Sequence, residues 1–388
     1  MSPRPARPGL RIVTVTHFFP AHGGGIELVA ESLVGEFVAR GVAVEWFSSD
    51  TDLPPQQGEN RVAIPVGASN IIERLTHLPY PLWSPAAFPA VWRAIGRADI
   101  VHIHEHLYCG SILSVVMARL RRRPIVITQH MGALGLGSKG LTLLYESMAR
   151  LLGRITFGAA TRAVFISANV RSFFHLDRCT KARLIFNGID IDRFTALAPA
   201  QRRETRTRLG FPDRRRVALF VGRFVRKKGF HILEALTHRL PEVLWVFVGS
   251  GPENPAAWRR ENVVVAGRVK HEDLPAYYQS VDLLILPSTG EGFPLVVQEA
   301  LACGLGVLST DEVRSACPQA QDLIRAQPTP REAANVAGWE AAARGTLADD
   351  GYLEDRDSRA RRARELWSWD RCAFQYMRLF EEITRPRL

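Results

Sequence analysis

Residues 283–309 read LLILPSTGEGFPLVVQEALACGLGVLS. A short apolar run, a Gly-rich loop, an apolar helical pattern and a second short apolar run follow one another there. That order is a strand–helix–strand unit, and units of this kind build parallel sheets. Its middle, PSTGEGFPLVVQEALACG at 287–304, places Glu291 in the loop and Glu299 eight positions later, inside the helical pattern 295–303. Val296, Val297, Ala300 and Leu301 flank Glu299, so its carboxylate projects from a mostly buried helix. A buried carboxylate is costly unless something pairs with it. Two of them at a strand-to-helix turn point to a site that grips hydroxyl groups. The competing reading is a helix-start glutamate favoured by the dipole plus a surface glutamate.

Working outward, FVGRFVRKKG at 220–229 follows another apolar run and carries Arg223, Lys227 and Lys228 ahead of Gly229. Arginine takes phosphate oxygens through a bidentate fork, and lysine adds a point charge. A solvated basic loop is the plainer reading of that cluster alone. Carboxylates for sugar hydroxyls and cations for phosphates together suggest a nucleotide-sugar site.

The alternation extends along the chain. Strands are expected at 11–16, 42–48, 62–66, 100–104, 125–129, 163–167 and 183–186, with helices at 26–40 and 141–152 among them. After the turn signal Asn187-Gly188-Ile189-Asp190 and an Arg-rich polar segment at 201–209, a second set is expected at 217–221, 244–249, 263–266, 283–287 and 306–309. The fold class is therefore α/β, with two Rossmann-like domains in tandem and a boundary near residue 187. Ligands of such sheets bind beyond the carboxyl ends of the strands, which lets the candidate segments converge in a cleft between facing domains.

Three further segments carry chemistry. HFFPAHGGGIE, residues 17–27, follows the first strand; Gly23, Gly24 and Gly25 let backbone N–H groups approach an oxygen-rich ligand at a helix start. It is not the G-x-G-x-x-G fingerprint and does not predict a nicotinamide site. His130, in TQHMG at the end of an expected strand, can hydrogen-bond a sugar hydroxyl or phosphate oxygen, or be a satisfied polar group. The run VHIHEH at 101–106 invites a metal reading from His102, His104, Glu105 and His106, but matches no fixed ligand pattern and reads better as structural or cleft histidines. No nucleophile elbow and no Walker A motif occurs.

Composition sets the class. The chain has 388 residues, 46% of them hydrophobic, and a formal net charge of +11. That length predicts two domains, and that charge favours anionic partners: phosphorylated substrate, anionic lipid or nucleic acid. No aromatic-basic module supports nucleic acid. Five scattered cysteines without a C-x-x-C argue against a disulfide framework or zinc site and fit a reducing compartment. The start MSPRPARPG lacks an apolar signal core, and no apolar run is long enough to span a bilayer, so the expectation is a cytoplasmic protein, soluble or peripheral on the inner face of the membrane. Arg119, Arg121, Arg122 and Arg123, with the amphipathic stretch 141–154, suggest contact with an anionic membrane.

These residues resemble the retaining, nucleotide-sugar-dependent glycosyltransferases of family 4, which have the GT-B fold. The likeness rests on GGGIE, TQHMG, FNGID, VGRFVRKKG, GSGPE at 249–253, the Glu-x7-Glu segment and SWDRCAFQYMRLFEEI at 368–383. It implies an acceptor-binding domain at 1–187, a donor-binding domain at 188–365 and a closing helix at 366–388 that crosses back onto the first domain. Arg223 and Lys228 would hold the donor diphosphate, Glu299 the ribose and Glu291 the transferred sugar, with the adjoining Gly292, Phe293, Pro294 and Leu295 in the donor loop. Gly267, Arg268 and Val269 would lie near the base, Gly24 and Gly25 near the phosphates or acceptor, and His130 near the donor sugar. The reaction implied is retaining transfer of a hexose from a GDP- or UDP-linked donor to a hydroxyl of a glycan or lipid-linked acceptor, without metal or cofactor, in polysaccharide or glycoconjugate synthesis. Alternatives are another reaction on the same fold, such as nucleotide-sugar epimerisation, and a non-catalytic nucleotide-sugar or glycan binder. One departure stands out: family members commonly carry a G-G-x-x-E loop after the second glutamate, whereas 308–318 here holds no paired glycine.

Overall fold

A computed structural model describes residues 9–76, 80–133, 139–329 and 335–385. It divides into two compact units, one formed by Met1–Gly188 with Trp369–Leu388 and the other by Ile189–Ser368.

The first unit is built on a parallel seven-stranded sheet. Its strands are β1 (Arg11–Val15), β2 (Ala43–Ser49), β3 (Arg61–Val66), β6 (Ile100–His104), β7 (Ile125–Gln129), β8 (Arg162–Phe165) and β9 (Ala182–Leu184), in the order β3-β2-β1-β6-β7-β8-β9. The pair β4 (Ala68–Ser69) and β5 (Leu82–Trp83) forms a small antiparallel ribbon outside it. Strands β6 and β7 are buried along their whole length, because helices cover both faces of a parallel sheet. Each opens on apolar residues, Ile100-Val101 and Ile125-Val126-Ile127, and carries its polar residues further toward the carboxyl end.

The second unit has a parallel six-stranded sheet of β10 (Val217–Val221), β11 (Leu244–Val248), β12 (Val263–Gly267), β13 (Leu283–Leu286), β14 (Gly306–Thr310) and β15 (Ile324–Gln327), in the order β12-β11-β10-β13-β14-β15. The order reverses between β10 and β13, which pair through Ala218 with Leu283 and Leu219 with Leu284. This is the switch point at which doubly wound sheets receive ligands.

Some expectations are corrected. The edge strand β15 was not foreseen, nor was the β4–β5 ribbon. The Arg-rich segment read as a polar connection is a helix, Pro199–Arg208. Buried Asp282 anchors it, accepting from Arg202 at 2.6 Å and from Arg206 at 3.1 Å. The helix expected at 141–152 runs from Lys139 to Ala159. The aromatic tail is two helices, Arg356–Trp367 and Trp369–Thr384, separated at Ser368. Trp367 stays with the second unit, its ring 5.4 Å from that of Phe293. Cys372, Ala373, Tyr376, Met377, Leu379 and Phe380 enter the first unit's core beside Leu33, Val34 and Phe37. No helix among the described residues is long and apolar enough to cross a membrane.

Candidate active site

In the second unit the predicted donor residues gather at the carboxyl ends of β10 and β13. After β10, residues Arg226–Lys228 make one 3-10 turn that ends at Gly229, with φ at +77°. A Cβ there would lie 2.3 Å from the Pro287 carbonyl oxygen, so only glycine lets the two loops touch. Across that contact, Thr289 donates to the Lys227 carbonyl from both its amide (2.9 Å) and its hydroxyl (3.2 Å). Lys228 Nζ and Glu291 Oε1 then form an ion pair of 2.6 Å, with both side chains about one-seventh exposed. Arg223 lies exposed at the start of the same loop.

Glu299 sits in the helix Leu295–Ala302 and is buried. The phenol of Tyr278 donates to its Oε2 at 2.8 Å, and His271 lies 3.6 Å from its Oε1. Burial and the neighbouring Glu299 carboxylate push the Tyr278 phenol well above its usual range, so it stays a donor. One hydroxyl donor of the kind expected from a ribose is thus supplied by the protein itself. Phe293 is buried and Pro294 caps the helix start, which leaves Gly292 and Leu295 half-buried beside Glu291. Near β12, Gly267 adopts φ +70°, its carbonyl accepts from the Gly249 amide at 2.8 Å, and Arg268 Nε donates to Ser250 Oγ at 2.7 Å. Val269 is half-buried next to them.

The segment that lacks the paired glycine is a short helix, Asp311–Ala316, whose start is capped by the Thr310 hydroxyl. Glu312 in its first turn accepts from the amides of Gly290 (3.2 Å) and Glu291 (3.0 Å). The Glu291 loop is therefore tied on one side to Lys227 and Lys228 and on the other to Glu312. Sequence reasoning missed Tyr278, His271 and Glu312.

In the first unit the corresponding strand ends carry histidines and buried acids. Gly24 precedes the helix Gly25–Ala39, and a Cβ on it would lie 2.1 Å from Glu27 Oε2. The acidic group in the first turn of this helix is the chain's own Glu27. Burial would raise its carboxyl, but the hydrogen bond and charge of His17 at 2.8 Å hold it below the usual range. His17 in turn stacks on Tyr108, with ring centroids 3.8 Å apart. His130 is buried, its Nε2 3.0 Å from His104 Nδ1. Burial, then the nearby His17, lowers it to about 3, so it acts as a neutral imidazole.

The VHIHEH residues turn to different partners. His102 meets Thr128 Oγ1 at 2.8 Å, and that hydroxyl lies 2.9 Å from Tyr376 of the C-terminal helix. His106 engages Gln129 at 2.7 Å. Among the described residues no three His, Cys, Asp or Glu side chains gather as a metal-ligand set.

Two family models match this sequence. Residues 23–193 match "Glycosyltransferase Family 4" and residues 201–337 match "Glycosyl transferases group 1". The chain belongs to the family 4 glycosyltransferases, with the GT-B fold. It is 28% identical to a D-inositol 3-phosphate glycosyltransferase of Xylanimonas cellulosilytica, over 94% of this chain and 93% of that one. It is 26% identical to a phosphatidyl-myo-inositol mannosyltransferase of Mycobacterium tuberculosis, over 83% of this chain and 82% of the relative. Among solved structures, sucrose-phosphate synthase from Thermosynechococcus elongatus superposes with a TM-score of 0.73 at 21% identity, covering 96% of this chain and 99% of its own. That glycosyltransferase fold accounts for the pair of parallel sheets.

Proposed function

We propose that this glycosyltransferase is a retaining, metal-independent hexosyltransferase using a GDP- or UDP-linked sugar, with the second unit binding the donor and the first the acceptor. The observation that carries the reading is the Lys228–Glu291 pair at the switch point, with Glu299 and Arg223 at hand. The pair is a placeholder. An arriving diphosphate takes Lys228 and Arg223, and the released Glu291 carboxylate accepts from sugar hydroxyls. Glu299, already oriented by Tyr278, takes the ribose. As the bond to the sugar breaks, negative charge grows on the diphosphate, and cations already in place stabilise it more in the transition state than in the ground state. The departing phosphate itself takes the acceptor proton, so no side-chain base is required. His130, held neutral, contacts the substrate sugar through hydrogen bonds rather than charge.

The relatives' names support an acceptor that carries an inositol phosphate, free or in a lipid. A lipid-linked acceptor fits the surface of the helix Lys139–Ala159. Leu141, Leu144, Met148, Leu151 and Ile155 are exposed on it at alternating spacings of three and four. The helix Cys109–Leu120 packs beside it, exposing Val116 and Leu120, and Arg119, Arg121 and Arg122 are exposed at its end. An apolar stripe beside exposed arginines suits the inner, anionic face of a bacterial-type membrane. We place the enzyme there, peripherally attached, in glycoconjugate synthesis.

A donor screen tests the reading: GDP- and UDP-sugars are supplied with and without inositol phosphate, phosphatidylinositol or glycan acceptors, and nucleoside diphosphate release is followed. Acceptor-dependent release with retained anomeric configuration and no loss in EDTA is expected. Conversion of the donor without any acceptor would identify an epimerase, and binding without release a non-catalytic receptor.

A further inference from the structure

Glu105 is fully buried at the end of β6 and adopts φ +68°, a conformation that glycine or asparagine occupies far more readily than glutamate. Its amide extends the ladder by donating to the Thr128 carbonyl at 2.9 Å, so the backbone there is fixed. Its Oε1 accepts from the amides of His130 and Met131, both at 2.7 Å, and its Oε2 from Gln129 Nε2 at 2.7 Å. Backbone groups hold Gln129 in this orientation: its Oε1 accepts from the His106 amide at 3.3 Å, and its Nε2 also donates to the Met131 carbonyl at 2.7 Å. The groups that hold the Glu105 charge are thus uncharged N–H donors, and the Glu27 carboxylate opposes it.

This arrangement costs stability twice, once in backbone strain and once in burying a charge without a cation. Such costs persist where surrounding structure enforces them for a purpose. What the carboxylate fixes is the two-residue segment after β7 that carries His130. We infer that Glu105 is a positioning residue: by holding the amides of His130 and Met131 it sets the place of the His130 imidazole against the substrate sugar. The inference rests on the substrate-contacting role of His130 proposed above.

A pH signature follows. Burial raises the Glu105 carboxyl to about 7. The groups facing it do not change charge in that window: burial lowers His106 and His130, burial raises the phenols of Tyr108 and Tyr145, and Glu27 is held low by His17. Protonated Glu105 presents a hydrogen where the Gln129 N–H already points. Turnover therefore falls as pH drops through about 7. Stability runs the other way. The native carboxyl titrates above its unfolded value of 4.5, so its favourable contribution is complete below that value and is lost as pH rises through about 7.

Glu105→Gln copies the protonated form: it keeps an acceptor for the two amides and sets N–H against N–H at Gln129. With the donor identified by the screen, we expect kcat to fall about 10- to 100-fold, as for a misplaced substrate contact, with donor KM changed less than about threefold. The pH limb near 7 vanishes, and thermal stability at pH 8 is equal to or above that of the wild type. Glu105→Gly accepts φ +68° without strain yet lacks the carboxylate, and should lose turnover to a similar degree. Wild-type turnover in either variant overturns the inference and leaves the proposed reaction standing. A lower melting temperature for Glu105→Gln at pH 8 with wild-type kcat makes Glu105 a structural pin and likewise overturns it. A wild-type protein without donor turnover overturns the parent reading, and this inference with it.

Discussion

The carboxylates at the ends of the two sheets are held in opposite ways. In the second unit, Glu291 faces a lysine and Glu299 faces a phenol and a histidine, and the Glu291 pair is partly open to solvent. In the first, Glu27 and Glu105 are buried, the one against His17 and the other against amide N–H groups. The lesson is a division of labour. Partly open ion pairs exchange partners readily when an anion arrives from solution, because little desolvation separates the two states. Buried, fully hydrogen-bonded acids do not exchange; they fix the backbone around them. On the function proposed above, the Lys228–Glu291 pair receives charge, whereas Glu27 and Glu105 hold geometry.

The sharpest way to break this comparison uses a carboxylate with no place in either site. Asp282 is buried between Arg202 and Arg206, whose charges hold its carboxyl below the usual range against the effect of burial. Asp282→Ala leaves two guanidiniums uncompensated and should cost about 3–5 kcal/mol in denaturant unfolding. Next in size, Lys228→Ala should lower kcat about 100-fold or more, with a smaller loss of stability than Asp282→Ala because Glu291 keeps some access to water. A loss of fold would place Lys228 with Asp282 instead. Glu299→Gln retains an acceptor for Tyr278 but gives up its charge, and should raise donor KM about tenfold with a smaller change in kcat. For the first unit, pH supplies the test. Glu27 titrates lower in the native state than in the unfolded chain, so its contribution is complete above about pH 4.5 and is lost as pH falls further. His17→Gln should flatten that acid limb in a melting-temperature series. The smallest expected change is in Leu144→Glu/Leu151→Glu, which should abolish flotation with anionic vesicles and leave transfer to a water-soluble acceptor unchanged.

Much of the scaffold was legible because parallel strands buried on both faces are rich in apolar residues; β6, β7 and β10 occur with the bounds expected. Strand β15, IRAQ, escaped because an edge position with one neighbour tolerates Arg325 and Gln327. The helix Pro199–Arg208 escaped because it lacks an apolar stripe and is held by charge instead. In the second unit the residue types alone drew attention to Lys228, Glu291 and Glu299, which the fold brings to the ends of β10 and β13. Tyr278 and Glu312 could not be found that way, since their roles come from contacts made 21 residues away along the chain. Glu105 was visible only as one letter in a histidine-rich run. Its meaning lies in a positive φ and in amides brought to it by the neighbouring strand, neither of which leaves a mark in composition or spacing.

The second crossing of the chain has a consequence for how the molecule is made. Residues 372–380 complete the hydrophobic interior that Leu33, Val34 and Phe37 begin. During synthesis, the first half to emerge from the ribosome must wait with that face unfilled until residues 372–380 have been made. The half translated second can finish first, so loss of residues 372–380 injures the first unit rather than the second.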